Sequence, residues 1–290
     1  MQLSNTCSSE SLWRNACARL LAVVLLGLLT AWSFAYAEEN TSDAVEAQPY
    51  TVLITGANRG IGLEFVKQYA ADGWTIIATA RNPEAATELQ ALASENSAII
   101  IEQLDVNDLV RIDELAVKYS EQPIDILLNN AAISGSPSQE QSFRRLNYDL
   151  FDAFMQTNAR GPLKMSEAFL TPVQKSELKT IVVVSSLTGS FSAKRPSKGT
   201  YFYRASKAAV NMLMIQVAND VKRRDVKVVL LNPGLVDTQG VLTEMNEKMK
   251  LGLTLVPIED SVAGMKRVIA DTPIEQSGLF FQWTGEQIPF

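Results

Sequence analysis

The sequence contains no histidine, and its two cysteines, Cys7 and Cys17, both lie near the N-terminus. This composition excludes a Ser-His-Asp triad, and it excludes a cysteine nucleophile or a His/Cys zinc site in the remainder of the chain. Proton transfer must therefore use Tyr, Lys, Asp, Glu, Ser or water, and we predict no metal centre. Positive charge is not in excess either. The formal net charge is −6, which gives no electrostatic basis for nucleic-acid binding.

A short apolar run lies near the N-terminus. Arg14 and Arg19 precede Leu20–Ala31, and Ala35-Tyr36-Ala37 follows. This pattern predicts a signal peptide over residues 1–37, cleaved after Ala37. The alternative is an uncleaved membrane anchor, because the apolar stretch approaches the minimum length of a membrane span. Either interpretation places the body outside the cytoplasm, periplasmic or secreted if cleaved, and a cytoplasmic protein is the remaining alternative.

Residues 38–49 are polar and acidic, and we predict a flexible linker there. From residue 50 onward, short apolar runs alternate with helical patterns. The predicted strands are Tyr50–Thr55, Trp74–Thr79, Ala98–Leu104, Ile124–Leu128, Thr180–Val184, Val226–Leu231 and Gly278–Phe281. The first predicted helix follows Gly62 and ends near Tyr69. The other predicted helices are Pro83–Glu95, Leu109–Tyr119, Asp149–Leu170, Tyr203–Lys222 and Glu259–Ala270. Continuous apolar strands alternating with helices are typical of a parallel sheet buried on both faces, so residues 50–290 are predicted to be one doubly wound α/β domain of the Rossmann type.

Three glycines, Gly56, Gly60 and Gly62, lie between the first strand and the first helix. Glycines there permit a tight turn and close approach to a pyrophosphate, which the N–H groups and the positive dipole end of the helix would bind. A glycine cluster can also be only a turn. Its place after the strand that opens the body favours a dinucleotide site.

The second strand ends at Thr79-Ala80-Arg81-Asn82, without the carboxylate that would hold the ribose hydroxyls of NAD. Arg59 in the glycine loop and Arg81 are cations suited to the 2′-phosphate of NADP. The alternative is that both are ordinary solvated arginines. The pattern favours NADP(H) over NAD(H).

Tyr203 and Lys207 are four residues apart and share one face of the predicted helix. A nearby ammonium lowers the pKa of a phenol from its ordinary value of about 10, toward a range in which it donates and accepts protons. Alone, this spacing is weak, and a core tyrosine with a solvated hydroxyl is the simpler interpretation.

With these motifs in place, the chain resembles the short-chain dehydrogenase/reductase family over roughly residues 50–290. The resemblance rests on Thr55-Gly56-x-x-x-Gly60-x-Gly62, Asn129-Asn130-Ala131-Ala132, Ser186 ahead of Tyr203-x-x-x-Lys207, and the segment Pro233–Thr238. Within the family, the residues after Tyr203 and the C-terminal segment are similar to the C-factor and Sniffer-like carbonyl reductases. The resemblance implies a seven-stranded sheet in the order 3-2-1-4-5-6-7 and a homodimer or homotetramer.

The resemblance also implies roles for individual residues. Tyr203 would be the general acid in carbonyl reduction, or the base in alcohol oxidation, and Lys207 would hold the nicotinamide ribose and lower the tyrosine pKa. Ser186 would bind the substrate oxygen, and Asn158 would support a water relay to the lysine. Asp105 would contact adenine, Asn130 the adenosine ribose region, and Thr238 the nicotinamide amide. The full implied cofactor set is Gly56, Asn58, Arg59, Gly60, Ile61, Gly62, Arg81, Asp105, Val106, Asn130, Ala131, Tyr203, Lys207, Pro233, Gly234, Val236 and Thr238.

Two features of this chain depart from the family pattern. Ser186 and Tyr203 are 17 positions apart, more than is usual, and the extra residues fall in the polar segment Lys194–Thr200. Ser185 is the alternative catalytic serine, and Ser186 is favoured because it directly precedes Leu187-Thr188-Gly189. The second departure is the leader, since most relatives are cytosolic, where NADPH is available.

The predicted function is therefore NADP(H)-dependent reduction of a small carbonyl compound to an alcohol. Two alternatives stay open: a non-catalytic, cofactor-binding extracellular signalling protein of the C-factor type, and a dehydratase or epimerase on the same fold. Any membrane contact would involve only the uncleaved N-terminal segment. Residues 239–257 are predicted to cover the substrate, through an apolar lid formed by Val241, Leu242, Met245, Met249 and Leu251, although a helix facing the core explains the same pattern.

Overall fold

The computed structural model describes residues 49–134, 141–192, 199–250 and 252–290, apart from the side chains of Val241 and Met245. The predicted leader, nearly all of the predicted linker and most of the segment 194–200 lie outside the described residues, as does Leu251. Residues 49–290 form one compact unit. In the part of the chain that is described, no helix is both long enough and apolar enough to cross a membrane.

Seven parallel strands form the central sheet. A separate antiparallel hairpin consists of two strands of two residues each. The sheet order is β3-β2-β1-β4-β7-β8-β9. Because the hairpin takes the labels β5 and β6, this is the predicted order 3-2-1-4-5-6-7, and the Rossmann-type prediction is confirmed. The strands are β1 Thr51–Ile54, β2 Thr75–Ala80, β3 Ile99–Gln103, β4 Ile126–Asn129, β5 Gln141–Ser142, β6 Arg145–Leu146, β7 Thr180–Val184, β8 Lys227–Asn232 and β9 Phe280–Gln282.

Helices cover both faces of the sheet. Within the described residues they are α1 Gly60–Ala71, α2 Thr87–Glu95, α3 Leu109–Lys118, α4 Asp149–Met155, α5 Gly161–Ala168, α6 Leu170–Gln174, α7 Tyr201–Val221, α8 Val241–Met249 and α9 Ile258–Asp271. Successive strand residues point to opposite faces. Leu53 belongs to the core formed with α3, α5 and α7, whereas Val52 and Ile54 belong to the core formed with α1, α2 and α9.

The predicted helix Asp149–Leu170 is interrupted. A π-helical turn, Gln156–Arg160, separates α4 from α5, and the backbone N–H of Gly161 donates to the carbonyl of Gln156, five residues back. Pro162 explains the break because it has no N–H for the next helical bond and its ring clashes with the carbonyl of residue 158. Asn158 lies inside this turn, so the irregularity is at a predicted site residue.

Other boundaries also differ from the prediction. The predicted helix Pro83–Glu95 divides into a 3-10 turn, Pro83–Ala85, followed by α2. The helix that carries Tyr203 begins two residues earlier than predicted, at Tyr201, after Thr200 with a positive φ of 57°. The hairpin and α6 were not predicted, because elements of two to five residues are too short to show a hydrophobic period.

Candidate active site

The glycine loop joins β1 to α1 at the carboxyl edge of the sheet. Gly56 and Gly60 have positive φ of 66° and 56°. A Cβ on Gly62 would lie 2.2 Å from the carbonyl oxygen of Gly56 and 2.6 Å from Nδ2 of Asn130. The start of α1 therefore touches the backbone of the loop and has no room for a side chain at this position, and the N-terminus of a helix is a place where a pyrophosphate can bind.

Asn130, which follows the neighbouring strand β4, and Thr55, which follows β1, hold this loop in place. Asn130 Nδ2 donates to the carbonyls of Thr55 at 2.9 Å and Gly56 at 3.1 Å. Thr55 Oγ1 accepts the backbone N–H groups of Asn130 and Ala131, both at 3.0 Å. The geometry thus gives Asn130 a supporting position under the loop, and its contact with the adenosine ribose stays a prediction. Thr55 opens the glycine motif of the sequence, but no role was predicted for its side chain.

The remaining predicted cofactor residues lie on loops that follow strand ends, except for Ile61, which lies in the first turn of α1. Arg59 and Arg81 are exposed, and neither guanidinium forms an ion pair or hydrogen bond with another described residue. Thr238 lies beside the glycine loop, since a Cβ on Gly60 would be 3.1 Å from its Cβ. The half-buried members of the set are Asn58, Ile61, Asp105, Ala131, Pro233, Gly234 and Val236.

Two predicted cofactor residues also have internal contacts. Val106 is buried, and a Cβ on Gly161 would lie 3.1 Å from its side chain, so Val106 packs at the start of α5. The side chain of Asp105 accepts the backbone N–H of Asn107 at 2.9 Å. Both residues therefore shape the loop after β3, and their contacts with adenine stay predictions.

The structure brings Ser186, Tyr203 and Lys207 together. Ser186 follows the carboxyl end of β7, and its hydroxyl is close enough to the phenol of Tyr203, in the first turn of α7, to lower the pKa of that phenol. Lys207 Nζ lies 5.9 Å from the centroid of the Tyr203 ring. Ser186 Oγ is also 2.9 Å from Thr188 Oγ1. A hydroxyl pair therefore sits at the strand end, next to a buried ammonium.

Burial shifts the pKa values of both Tyr203 and Lys207. The pKa of Tyr203 is raised because the phenol is buried, and the hydrogen bond with Ser186 offsets only part of that rise. The pKa of Lys207 is lowered to about 8, again by burial. The net shift of Tyr203 is opposite to the direction predicted from the helical spacing. The reason is the burial of the phenol, and Lys207 does not offset it because its Nζ donates to the carbonyl of Val184 at 2.8 Å and not to the phenol.

Asn158 connects the π-helical turn to α7. Its Oδ1 accepts the N–H of Ile133 and its Nδ2 donates to the carbonyl of the same residue, both at 2.8 Å. Nδ2 also donates to Ser206 Oγ at 3.0 Å, and Ser206 Oγ donates to the Tyr203 carbonyl at 2.8 Å. These bonds brace the first turns of α7 against the loop after β4. A water relay from Asn158 to Lys207 stays a prediction.

The choice between Ser185 and Ser186 follows from their partners. Ser185 is buried and donates to Asn211 Oδ1 at 2.5 Å, while Asn211 Nδ2 donates to the Gly189 carbonyl at 3.4 Å. Ser185 is therefore engaged in tying β7 to α7, and Ser186 is the serine that faces Tyr203. Sequence reasoning missed Asn211, whose signal is a polar residue on the apolar face of a helix.

A second missed residue is Asn232, at the end of β8. Its Oδ1 accepts the N–H of Leu187 at 2.8 Å, and its Nδ2 donates to Gln282 at the end of β9. This buried amide therefore holds the turn that follows Ser186 to the two adjacent strands. Its sequence signal is the same one that marked Asn129 and Ser186, namely a polar residue at the end of an apolar strand.

The segment predicted as a lid contains α8. Asp237 accepts the N–H of Thr243 at 2.7 Å and its hydroxyl at 2.6 Å, and these bonds, the hydroxyl bond first, lower the Asp237 pKa to about 2. Leu242 is half-buried and Met249 is exposed, which fits neither a fully core-facing helix nor a fully apolar lid. The side chains of Val241 and Met245, and Leu251, lie outside the described residues.

Comparisons with known proteins fit this architecture. The sequence profile of the short chain dehydrogenase family matches residues 50–250. An uncharacterized oxidoreductase of Schizosaccharomyces pombe is 32% identical over 249 residues, which is 82% of this chain and 97% of the relative. The C-signal of Myxococcus xanthus is 34% identical over 168 residues, 58% of this chain and 93% of the relative.

Solved structures agree. The NADPH-bound carbonyl reductase from chicken fatty liver superposes with a TM-score of 0.73 at 30% identity, covering 84% of this chain and all of that one. The carbonyl reductase Sniffer of D. melanogaster superposes with a TM-score of 0.72 at 26% identity, with the same coverage. The fold, the matched profile and these relatives together identify the chain as an oxidoreductase that belongs to the short chain dehydrogenase family.

Proposed function

We propose that this protein is an NADP(H)-dependent carbonyl reductase that converts a small aldehyde or ketone to the alcohol. The observation that carries the proposal is the meeting of Ser186, Tyr203 and Lys207 at the strand ends that also hold the glycine loop. Ligands of open parallel α/β sheets bind in the crevice at this edge. No metal centre is part of the proposal.

The residues present fit a dinucleotide. The backbone contact at Gly62 leaves no room for a side chain, the loop leads into the N-terminus of α1, and Arg59 is exposed beside it. When bound, the nicotinamide cofactor supplies the hydride that reaches the carbonyl carbon. Tyr203 gives its phenolic proton to the carbonyl oxygen, Ser186 donates a hydrogen bond to that oxygen, and the charge of Lys207 stabilises the phenolate that results.

The raised pKa of Tyr203 favours one direction of the reaction. A phenol with a pKa above its ordinary value stays protonated near neutral pH, so it is ready to act as an acid. Alcohol oxidation requires the phenolate as base, which burial disfavours. We therefore infer that carbonyl reduction is the faster direction near neutral pH.

We expect the reduction to depend on pH through Lys207. Burial lowers the Lys207 pKa to about 8, so its ammonium is present below about pH 8 and is lost above it. The pKa of Tyr203 lies higher, so its ionisation does not change the pH–rate profile near pH 8. Measured kcat/KM for carbonyl reduction should fall about tenfold for each pH unit above 8.

The control for this profile is Lys207→Arg, in which the cation stays charged up to about pH 12. Its activity is expected to be lower but to lack the alkaline limb. A flat wild-type profile up to about pH 10 would contradict a role for the Lys207 ammonium.

The preference for NADP(H) rests on Arg59 and Arg81. Both are exposed on loops at the carboxyl edge, and no described carboxylate pairs with either. The 2′-phosphate of NADP is the partner that such unpaired guanidinium groups fit. The chicken carbonyl reductase, whose fold this chain shares, was crystallised with NADPH, which supports the same assignment.

Replacing Arg81 with aspartate is expected to raise the KM for NADPH roughly 10- to 100-fold and to lower the KM for NADH, since a carboxylate repels phosphate and accepts ribose hydroxyls. Initial rates at varied cofactor concentration measure both. The matched control is Arg223→Asp, a charge reversal at an exposed arginine after α7. An unchanged ratio of the two KM values in Arg81→Asp would remove the argument for NADP(H).

The direct test of the proposed function is consumption of NADPH and NADH by the purified protein with aldehydes, quinones, diketones and ketosteroids. Turnover with NADPH that depends on Tyr203 supports a carbonyl reductase. Failure to bind either cofactor would refute the argument from the glycine loop.

The similarity to the C-signal of Myxococcus xanthus and the predicted leader favour a second candidate, a cofactor-binding signalling protein outside the cell. Normal biological activity of a Tyr203→Phe/Lys207→Ala double variant would support it. Export, with cleavage after Ala37 or retention as an anchor, and assembly as a homodimer or homotetramer are parts of the proposal. N-terminal sequencing of the mature protein and its mass in solution test them.

A further inference from the structure

A cavity lies at the opposite end of the sheet from Tyr203. It has a volume of about 430 Å³ and is bounded by the end of α1, the residues between α1 and β2, and one side of α9. Ile126, Thr180 and Lys227, the first residues of three parallel strands, form its floor. Ligand cavities in proteins typically span about 300–1,000 Å³, so this cavity is large enough for a small molecule.

We propose that this cavity binds an amphipathic monoanion, a straight-chain carboxylate whose tail fills the cavity and whose head group pairs with Arg267. The proposal goes beyond the reductase function, because no residue of the cavity belongs to the glycine loop or to the group around Tyr203.

The walls are mainly apolar. Side chains of Tyr69, Trp74, Leu178 and Ile269 line the cavity, and the rings of Tyr69 and Trp74 lie 4.7 Å apart, tilted by 50°. Trp74 and Leu178 are only half-buried, so apolar surface is left at the cavity without a protein partner. An apolar tail that covers this surface gains affinity in proportion to the area removed from water.

The charges at the cavity are balanced except for one. Lys266 Nζ is 2.6 Å from Asp72 and lies over the Tyr69 ring at 4.6 Å. Lys227 Nζ donates to the carbonyls of Ile269 and Thr272, both at 2.9 Å, and burial lowers the Lys227 pKa, a fall that the nearby Asp271 partly offsets.

Arg267 is the exception. It is exposed at the cavity, and among the described residues its guanidinium has no ion pair or hydrogen bond. One unpaired guanidinium above an apolar cavity matches one carboxylate on an apolar tail.

The cavity is distinct from the proposed catalytic site. Its floor is at the amino ends of β4, β7 and β8, whereas Ser186 and Asn232 lie at their carboxyl ends. Strands of four to six residues separate the two edges by roughly 15 Å. Occupation of the cavity therefore leaves the carboxyl edge free for cofactor and carbonyl substrate.

Calorimetric titration of the full-length protein with octanoate, decanoate and laurate tests the proposal. Affinity should rise about fourfold for each methylene added, until the tail fills the cavity. Ala263 lines the cavity from α9, so Ala263→Trp fills it and should weaken laurate binding more than tenfold. Laurate should also shift the fluorescence of Trp74 to shorter wavelength, because its tail replaces water at the indole, and this shift should be lost in Trp74→Phe.

The exposed variant Arg267→Gln keeps the test valid if Ala263→Trp fails to fold. This variant should have a roughly threefold lower affinity for laurate, as expected for the loss of a partly solvated ion pair, and an unchanged affinity for dodecanol. Arg223→Gln is the control and should change the affinity for neither ligand. Laurate affinity that is the same in Ala263→Trp and Arg267→Gln as in the wild type, or competition between laurate and the carbonyl substrate, would overturn the proposal.

Discussion

Replacing Tyr203 with phenylalanine is expected to lower kcat for carbonyl reduction by roughly 10²- to 10⁴-fold, the usual contribution of a positioned general acid. The change removes one oxygen atom and leaves the ring that packs beside Lys207. NADPH affinity should change little, because the glycine loop and Arg59 are untouched. Stopped-flow measurement of the rate of hydride transfer, with NADPH binding followed separately, measures both quantities.

The matched control is Tyr201→Phe, which removes the hydroxyl of an exposed tyrosine two residues earlier in the same helix. It should retain wild-type turnover, so a loss confined to Tyr203→Phe reports chemistry and not a disturbed helix. Full turnover in Tyr203→Phe, with an unchanged melting temperature, would rule out Tyr203 as the proton donor. The proposed mechanism would then fail, although the family assignment would stand.

Replacing Gly62 with alanine is expected to abolish cofactor binding and to destabilise the fold by about 3 kcal/mol. The new Cβ would lie 2.2 Å from the Gly56 carbonyl oxygen, a distance that real Cβ atoms do not show. That oxygen belongs to the loop backbone and accepts from Asn130 Nδ2, so it cannot move without breaking this bond. Urea unfolding and NADPH fluorescence titration measure the two effects.

Gly73→Ala is the comparison for this variant, because Gly73 follows the other end of α1. Gly73 has a positive φ of 80°, and nothing lies within 4 Å of the position of a new Cβ. Its substitution should cost about 1 kcal/mol through backbone strain and leave NADPH affinity unchanged. Cofactor binding in Gly62→Ala equal to that in Gly73→Ala would show that the close approach at Gly62 is not required.

Much of the site could be predicted because local sequence fixes it. The i, i+4 spacing of Tyr203 and Lys207 places both on one helix face, and glycines after an apolar strand define a turn with few alternatives. Continuous apolar strands that alternate with helices leave a buried parallel sheet as the stable arrangement. The proposed NADP(H) preference rests on a missing carboxylate and two arginines, which is also local information.

Other features of the site could not be predicted from the sequence, because they depend on contacts between residues that are distant in the chain. Ser185 and Ser186 are adjacent serines, and only the packing of β7 against α7 gives Asn211 to one and Tyr203 to the other. Burial, and not the helical spacing, determined that the Tyr203 pKa is raised and the Lys207 pKa lowered. The tertiary structure also places the Val184 carbonyl where Lys207 Nζ donates to it. The cavity beside Arg267 likewise arises where α1 and α9 meet the amino ends of strands, a junction that no local pattern encodes. The sequence by itself thus determined the secondary elements and the chemistry they carry, while packing determined which of those groups meet and how each one ionises.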